Sequence, residues 1–382
     1  MKPNVKIIWL AVLLNLFLSV VFIYLSRPWL TDDSLGHIDL ANSILNGSGF
    51  GRFCSFGYLV EPSRLPGYPG FIAILFVLFG DSHLSILLVQ SLLLAASVFL
   101  TYRIAIDIFG ISTAYAFLMF SVIYPFLANA SALISPEILC LFFTTAGICA
   151  LKSSKRPALV LSGIMFSAAS YVRPNMILLG CLIAFFCIVF LRERRLNYLF
   201  IPITIAILFV PWTIRNYYVF GKITPTAVVT GLGVSVFVSS WESRTSTRTI
   251  ISFGKGNINE EAQNSGLAGQ VDEISNKLRE CCPDDDPKVL ISVATCDTTK
   301  KQSVIDQEML RHGVDNIKAE PLKYLWNCFI NSFRMWFTYF GLDSFPFFIR
   351  LPLIFLGVAA LALGLLGIAF VLFEHHERLR NP

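Results

Sequence analysis

From Ile7 to Leu25 the chain carries nineteen residues without a charge, and runs of this kind recur along its length. About 20 apolar residues in a helix cross the hydrocarbon core of a bilayer. A spanning helix also satisfies its own backbone hydrogen bonds where no water can. The runs therefore predict an all-α polytopic membrane protein. About eight transmembrane helices are expected, near 7–26, 83–102, 111–129, 137–151, 158–172, 175–191, 197–213 and 351–373. Composition agrees: 55% of the residues are hydrophobic and 14% charged, where a soluble domain has about 25% charged. The run PGYPGFIAILFVLFG (Pro66 to Gly80) is too short and too rich in Pro and Gly to span, and reads as a helix lying in the interface or dipping into it.

Lys2 and Lys6 precede the first run, and SRPWL follows it in place of a small-residue cleavage site, so the first segment reads as a retained signal anchor. Positive charge then sets topology. Lys2, Lys6, Arg103, Lys152, Lys155, Arg156, Arg192, Arg194, Arg195, Arg378 and Arg380 fall on one set of short flanks. That set is expected to be cytoplasmic, with both termini inside a plasma (inner) membrane. The net charge of +5 is accounted for by this bias, and no nucleic-acid partner is expected.

Two segments then face outward: a first outer loop over about 30–82, and residues 214–350. Between Trp241 and Glu320 there are 24 charged residues in 80, about twice the chain's 14%. Three regions are expected: a transmembrane catalytic core over 1–213, with juxtamembrane helices in the first outer loop; an extracytoplasmic loop domain over 214–350, with a membrane-surface helix near 320–340; and a last span with a cytoplasmic tail over 351–382. Of nine cysteines, Cys140, Cys149, Cys181 and Cys187 lie in apolar runs and read as small hydrophobes. Whether Cys281 or Cys282 pairs with Cys296 outside the membrane is left open.

Chemistry can sit where charges stand beside these runs. Asp32 and Asp33 open DDSLGHIDLANSILNGSGF just outside the first span. Asp32, Asp33 or Ser34 can cap the amphipathic helix that follows. Capping accounts for one acidic residue, and a second can act as a general base or hold an acceptor, with or without a metal. Glu137 sits at the outer end of the fourth run. It reads either as a helix-start residue after Ser135 and Pro136 or as a functional carboxylate. Arg173 is the one charge in the tight turn SYVRPN and either snorkels to headgroups or pairs with a phosphate or carboxylate. Arg64, between prolines in PSRLPGYP, and Arg215, in PWTIRNYYVFG, join it on the same face. His37 reads as a hydrogen-bonding or interfacial residue rather than a metal ligand. Three arginines and two or three carboxylates thus converge from separate segments. An anionic lipid carrying a sugar needs cations for its phosphate and a carboxylate to take a proton. A transporter or flippase for a lipid-linked or anionic solute is the alternative, and a non-catalytic assembly or sensor protein is a third reading. Transporters are marked by inverted repeats and mid-membrane charges, whereas here the charges collect at one face.

Four stretches, DSLGHIDLANSILNGSGF, RLPGYPGFIAIL, SYVRPN and PWTIRNYYVFGKITP, together resemble the bacterial and archaeal relatives of dolichyl-phosphate-mannose–protein mannosyltransferases. These are polytopic C-type glycosyltransferases that include the aminoarabinose transferase of lipid A. The likeness covers about residues 1–235, with the helix around 320–340 as an extension. It implies a polyprenyl-phosphate-linked sugar as donor and a lipid, glycan or protein hydroxyl as acceptor. Transfer would occur with inversion at the outer face, through an acidic residue of the first outer loop. Asp33 matches that position best, with Asp32 as its neighbour, and His37 stands where a tyrosine is common, in a substrate-positioning role. Glu137 matches an acidic residue of the second outer loop. Arg64, Arg173 and Arg215 match basic positions and are expected to bind the donor phosphate. No cofactor is certain, and a divalent cation remains open. The chain departs from the family in having one span, not several, after the large outer loop, and residues 241–312 fall outside the likeness.

Overall fold

Helix α1 (Val5–Leu25) keeps its polar residues Asn15 and Ser19 on the inner face, among Ile8, Ala11, Val12 and Ile23, and turns apolar side chains outward. Asn15 and Ser19 are fully buried while Leu13 and Phe17 are exposed. That arrangement is wrong for water and right for lipid, where apolar side chains meet the solvent and polar ones need protein partners. Asn15 finds one in Ser121, to which its Nδ2 donates at 3.1 Å. The computed structural model that shows this describes residues 4–25, 30–54, 57–153, 155–190, 195–229, 232–241, 269–270, 273 and 299–337.

After α1 come α2 (Asp32–Leu45), strands β1 (Gly51–Cys54) and β2 (Gly57–Val60), α3 (Gly67–Phe79), α4 (His83–Phe109) and α5 (Ile111–Ile123). Next are α6 (Pro125–Ser131), α7 (Glu137–Ala150), α8 (Arg156–Val172), α9 (Met176–Phe190), a 3-10 turn (Arg195–Leu199) and α10 (Phe200–Phe220). Then follow α11 (Leu232–Trp241), α12 (Thr299–Ala319) and α13 (Pro321–Phe337). In α9 the small residues Gly180 and Ala184 face inward and Leu178, Phe185 and Phe190 outward. On α8, a Cβ added at Gly163 would lie 2.7 Å from the Thr204 Cβ of α10. Small residues at such crossings are how helices approach closely in lipid. Ser162 of α8 donates to the Gly147 carbonyl of α7 at 2.9 Å.

Several expectations need correction. Among the described residues three helices are long and apolar enough to cross a membrane, Val5–Leu25, His83–Phe109 and Leu196–Phe220. Helices α3, α5, α7, α8 and α9 are apolar but shorter. The expected span 111–129 is broken at Tyr124, one residue before Pro125, because proline cannot donate to the preceding turn. The expected span 83–102 continues to Phe109 and ends at Gly110, whose φ of 87° suits glycine. The eighth expected span, 351–373, and the cysteines Cys281, Cys282 and Cys296 lie outside the described residues. The all-α class also misses a hairpin between α2 and α3, where β1 and β2 pair antiparallel with Gly51 opposite Val60 and Arg52 opposite Leu59.

The described residues form two units. The first holds 4–122, 127–229 and 299–304. In it, Ile38 and Ala41 of α2 pack with Tyr68 and Ile72 of α3, Ile86 and Leu87 of α4, Ile134, and Leu139 of α7. This buried cluster seats α2 on the bundle. The second unit holds 123–126, α11, 269–270, 273 and 305–337. There α11 and α12 touch backbone to backbone. A Cβ at Gly313 would come within 2.8 Å of the Phe237 nitrogen, and the Gly233 N–H donates to Asp306 Oδ1 at 2.8 Å. Asn316 ties Ser240 and Gln270 together from inside that unit. Helix α13 leaves Leu322, Leu325, Trp326 and Phe329 exposed along one face.

Candidate active site

Helix α2 is capped by Thr31, one residue before the acidic pair. The Ser34 N–H donates to Thr31 Oγ1 at 3.2 Å, and the Thr31 N–H donates to Ser34 Oγ at 3.0 Å. The N–H groups of Thr31 and Ser34 at the helix start are therefore satisfied without a carboxylate. Ser34 Oγ also donates to the Ile134 carbonyl at 2.7 Å, which pins the start of α2 to the loop before α7. Asp33 is thus free of the capping duty that the sequence allowed it. The Asp32 side chain lies outside the described residues.

One helical turn separates Asp33 from His37, whose Nε2 lies 3.5 Å from Asp33 Oδ2. From outside the helix, Arg64 Nη2 donates to Asp33 Oδ1 at 2.9 Å. Gly36 makes room for this approach, since a Cβ there would sit 3.0 Å from Arg64 Nη2. Asp33 is half exposed and His37 nearly buried. His37 first, and then Arg64, hold the Asp33 carboxyl well below the usual carboxylate range, against the opposing pull of burial. The imidazole stands edge-on to the Tyr68 ring, centroids 5.0 Å apart. The Tyr68 hydroxyl donates to Gln90 Oε1, and Gln90 Nε2 donates to the Leu133 carbonyl at 2.7 Å. Gln90, a polar residue buried within α4, is therefore bonded inside the bundle.

Arg64 is held by a residue that the sequence reading did not single out. Glu61 is buried, and its Oε1 accepts from the Arg64 N–H at 3.1 Å, the Ser63 N–H at 2.9 Å and the Ser63 hydroxyl. Its Oε2 lies 3.2 Å from Arg52 Nη2 and 3.8 Å from Arg64 Nη1. Burial pushes the Glu61 carboxyl up, but the Ser63 hydroxyl, Arg52 and Arg64 outweigh it and leave it below its ordinary value. Arg215 arrives from α10 and donates from Nη2 to the Glu61 carbonyl at 3.1 Å and from Nη1 to Asn216 Oδ1 at 2.9 Å. Its guanidinium lies over the rings of Trp212 (4.6 Å), Phe220 (4.9 Å) and Phe50 (5.7 Å). Of the expected residues, Asp33, His37, Arg64 and Arg215 are brought into one cluster with Glu61 and Arg52. Three cations stand against two carboxylates, which leaves one positive charge in the cluster.

Glu137 and Arg173 form a second site. They pair with each other, half exposed, at the start of α7 and just after α8. The N-terminus of α3 comes close by, since a Cβ on Gly67 would lie 2.5 Å from the Tyr171 carbonyl. Both Glu137 and Asp33 act electrostatically on the Tyr68 hydroxyl, which lies within range of the two sites. Among the described residues no three His, Cys, Asp or Glu side chains come together as a metal cluster.

Half-buried and buried charges therefore collect at one end of a lipid-adapted bundle, on segments that run from α2 and β1 through the Glu61 turn to α10. The part from the Glu61 turn onward also has a sequence likeness. Residues 61–214 match the family model of dolichyl-phosphate-mannose-protein mannosyltransferases. The match bears out the resemblance read from the motifs and supports a multi-pass membrane glycosyltransferase. It begins at Glu61, contains Arg64, Glu137 and Arg173, and ends one residue before Arg215. Asp33 and His37 precede the part matched to the mannosyltransferase family. No curated protein and no solved structure matches the chain.

Proposed function

We propose that the protein transfers a sugar from a polyprenyl-phosphate donor to an acceptor hydroxyl on a lipid, glycan or protein, at the extracytoplasmic face of the membrane. The observation that carries this reading is the Arg64 guanidinium, shared between the half-exposed Asp33 and the buried Glu61 at the end of an apolar bundle. Asp33 takes the proton of the acceptor hydroxyl as its oxygen bonds to the anomeric carbon. The bond from that carbon to the phosphate oxygen breaks, with inversion, and polyprenyl phosphate leaves. Arg64, with Arg215 beside it, neutralises the developing charge on the phosphate. A carboxylate tightly paired to a guanidinium is a weak base. Donor binding strengthens it, because the phosphate draws Arg64 away from Asp33. His37 keeps the carboxylate oriented while this happens, and Arg173, paired with Glu137, supports the donor from the second site. The bundle's outward-facing Leu and Phe side chains offer the polyprenyl tail an apolar surface.

The alternative of a transporter for an anionic solute gains nothing from the mid-helix polar groups, since Asn15 and Gln90 are bonded to neighbouring helices or loops. The decisive experiment incubates the purified protein with a panel of radiolabelled polyprenyl-phosphate sugars and scores release of free polyprenyl phosphate. Release from one donor, lowered by roughly 10²–10⁴-fold in Asp33→Asn, is the expected result. Asp32→Asn run in parallel separates the neighbours. Full release by Asp33→Asn would remove Asp33 from the reaction.

A further inference from the structure

Glu61 is the most heavily engaged charge of the first outer loop. Its side chain is 0% exposed and faces Arg52 on β1 and Arg64 in its own turn, while its backbone carbonyl accepts from Arg215 on α10. Its two carboxylate oxygens do different work. Oε1 closes the turn by accepting the Ser63 and Arg64 N–H groups. Oε2 makes no hydrogen bond and faces the guanidinium groups of Arg52 and Arg64. A buried carboxylate is costly unless cations offset the loss of water. One of those cations, Arg64, also pairs with Asp33. Both the backbone and the side chain of Arg64 are thus held by one residue three positions earlier. The guanidinium can then lie across Gly36 and reach Asp33.

We infer that Glu61 is the positioning residue of this arginine cluster, holding Arg64 where it can exchange Asp33 for the phosphate of a polyprenyl-phosphate substrate. The identity of that anion rests on the function proposed above. Glu61 touches neither acceptor nor sugar and acts through Arg64.

The two oxygens allow the role to be separated from folding of the turn. In Glu61→Gln the amide oxygen still accepts the two N–H groups, while the amide NH2 replaces Oε2 and confronts guanidinium donors. The test measures equilibrium binding of a polyprenyl monophosphate to the full-length protein in nanodiscs, for the wild type, Arg64→Ala, Glu61→Gln and the double variant. Arg64→Ala is expected to weaken binding by about tenfold or more, and Glu61→Gln by several-fold. The double variant should bind no worse than Arg64→Ala, because Glu61 has nothing left to position. Glu61→Asp, which keeps the charge on a shorter arm, is the second probe and should show the same non-additivity should Glu61→Gln fail to fold. Wild-type affinity in Glu61→Gln, or losses that multiply in the double variant, would overturn the inference. Wild-type affinity in Arg64→Ala is a different pattern: it rejects the phosphate role of Arg64 itself, and this inference with it.

Discussion

Arg64 Nη2 sits 2.9 Å from Asp33 Oδ1, joining the turn before α3 to the first turn of α2 across thirty-one positions of sequence. Neither residue is placed by this contact alone. Thr31 and Ser34 set the start of the helix that carries Asp33, and Glu61 sets the turn that carries Arg64. The ion pair is therefore a meeting of two independently built supports, and each can be perturbed separately.

Gly36→Ala tests the space beneath the guanidinium. The new methyl would stand 3.0 Å from Arg64 Nη2 and 3.1 Å from its Cζ, so the guanidinium must shift. Alanine inside a helix is also favoured over glycine by roughly 0.5–1 kcal/mol. The expected outcome is a several-fold lower transfer rate with thermal stability unchanged or raised. A fully active variant would show that the Asp33–Arg64 geometry does not matter.

Gly67→Ala tests the junction between α3 and α8. Its Cβ would meet the Tyr171 carbonyl at 2.5 Å, and that neighbour is backbone rather than a movable side chain. Overpacking of this kind costs roughly 1–3 kcal/mol. A clear fall in the detergent melting temperature is expected, and an unchanged melt would count against this close contact.

Asp33 should stay ionised under all ordinary assay conditions. Its folded pKa is depressed, so its contribution to stability is complete above the ordinary value of 3.8 and is lost only as pH falls through a lower folded value. The kcat/KM ratio of wild type to Asp33→Asn should therefore be constant from about pH 5 to about pH 8. A ratio that rises through a midpoint in that interval would mean that Asp33 titrates there.

Arg173→Ala separates donor binding from folding at the second site. The Glu137–Arg173 pair is half exposed, and exposed pairs contribute about 0–1 kcal/mol. Stability should hardly change while the donor concentration needed for half-saturation rises. Unchanged saturation would remove Arg173 from the donor site.

Helix class and membrane habit were written in the apolar runs, because a backbone in lipid must satisfy itself within each segment and apolar side chains then face outward. The candidate residues Asp33, Arg64, Glu137, Arg173 and Arg215 were also legible, since charges beside such runs are few. Local sequence could not say which group caps α2. The sequence offered Asp32, Asp33 or Ser34, and the cap is instead Thr31, one residue earlier, as seen in the hydrogen bonds that it exchanges with Ser34. Nor could it choose partners for the cations. Arg173 pairs with Glu137 from thirty-six positions away, and Arg215 reaches the Glu61 carbonyl from 154 away. Glu61 is, by its local sequence, a loop acid before a proline. Its importance depends on β1, α10 and its own turn meeting around one buried carboxylate, and long-range convergence of that kind is decided by packing rather than by any local pattern.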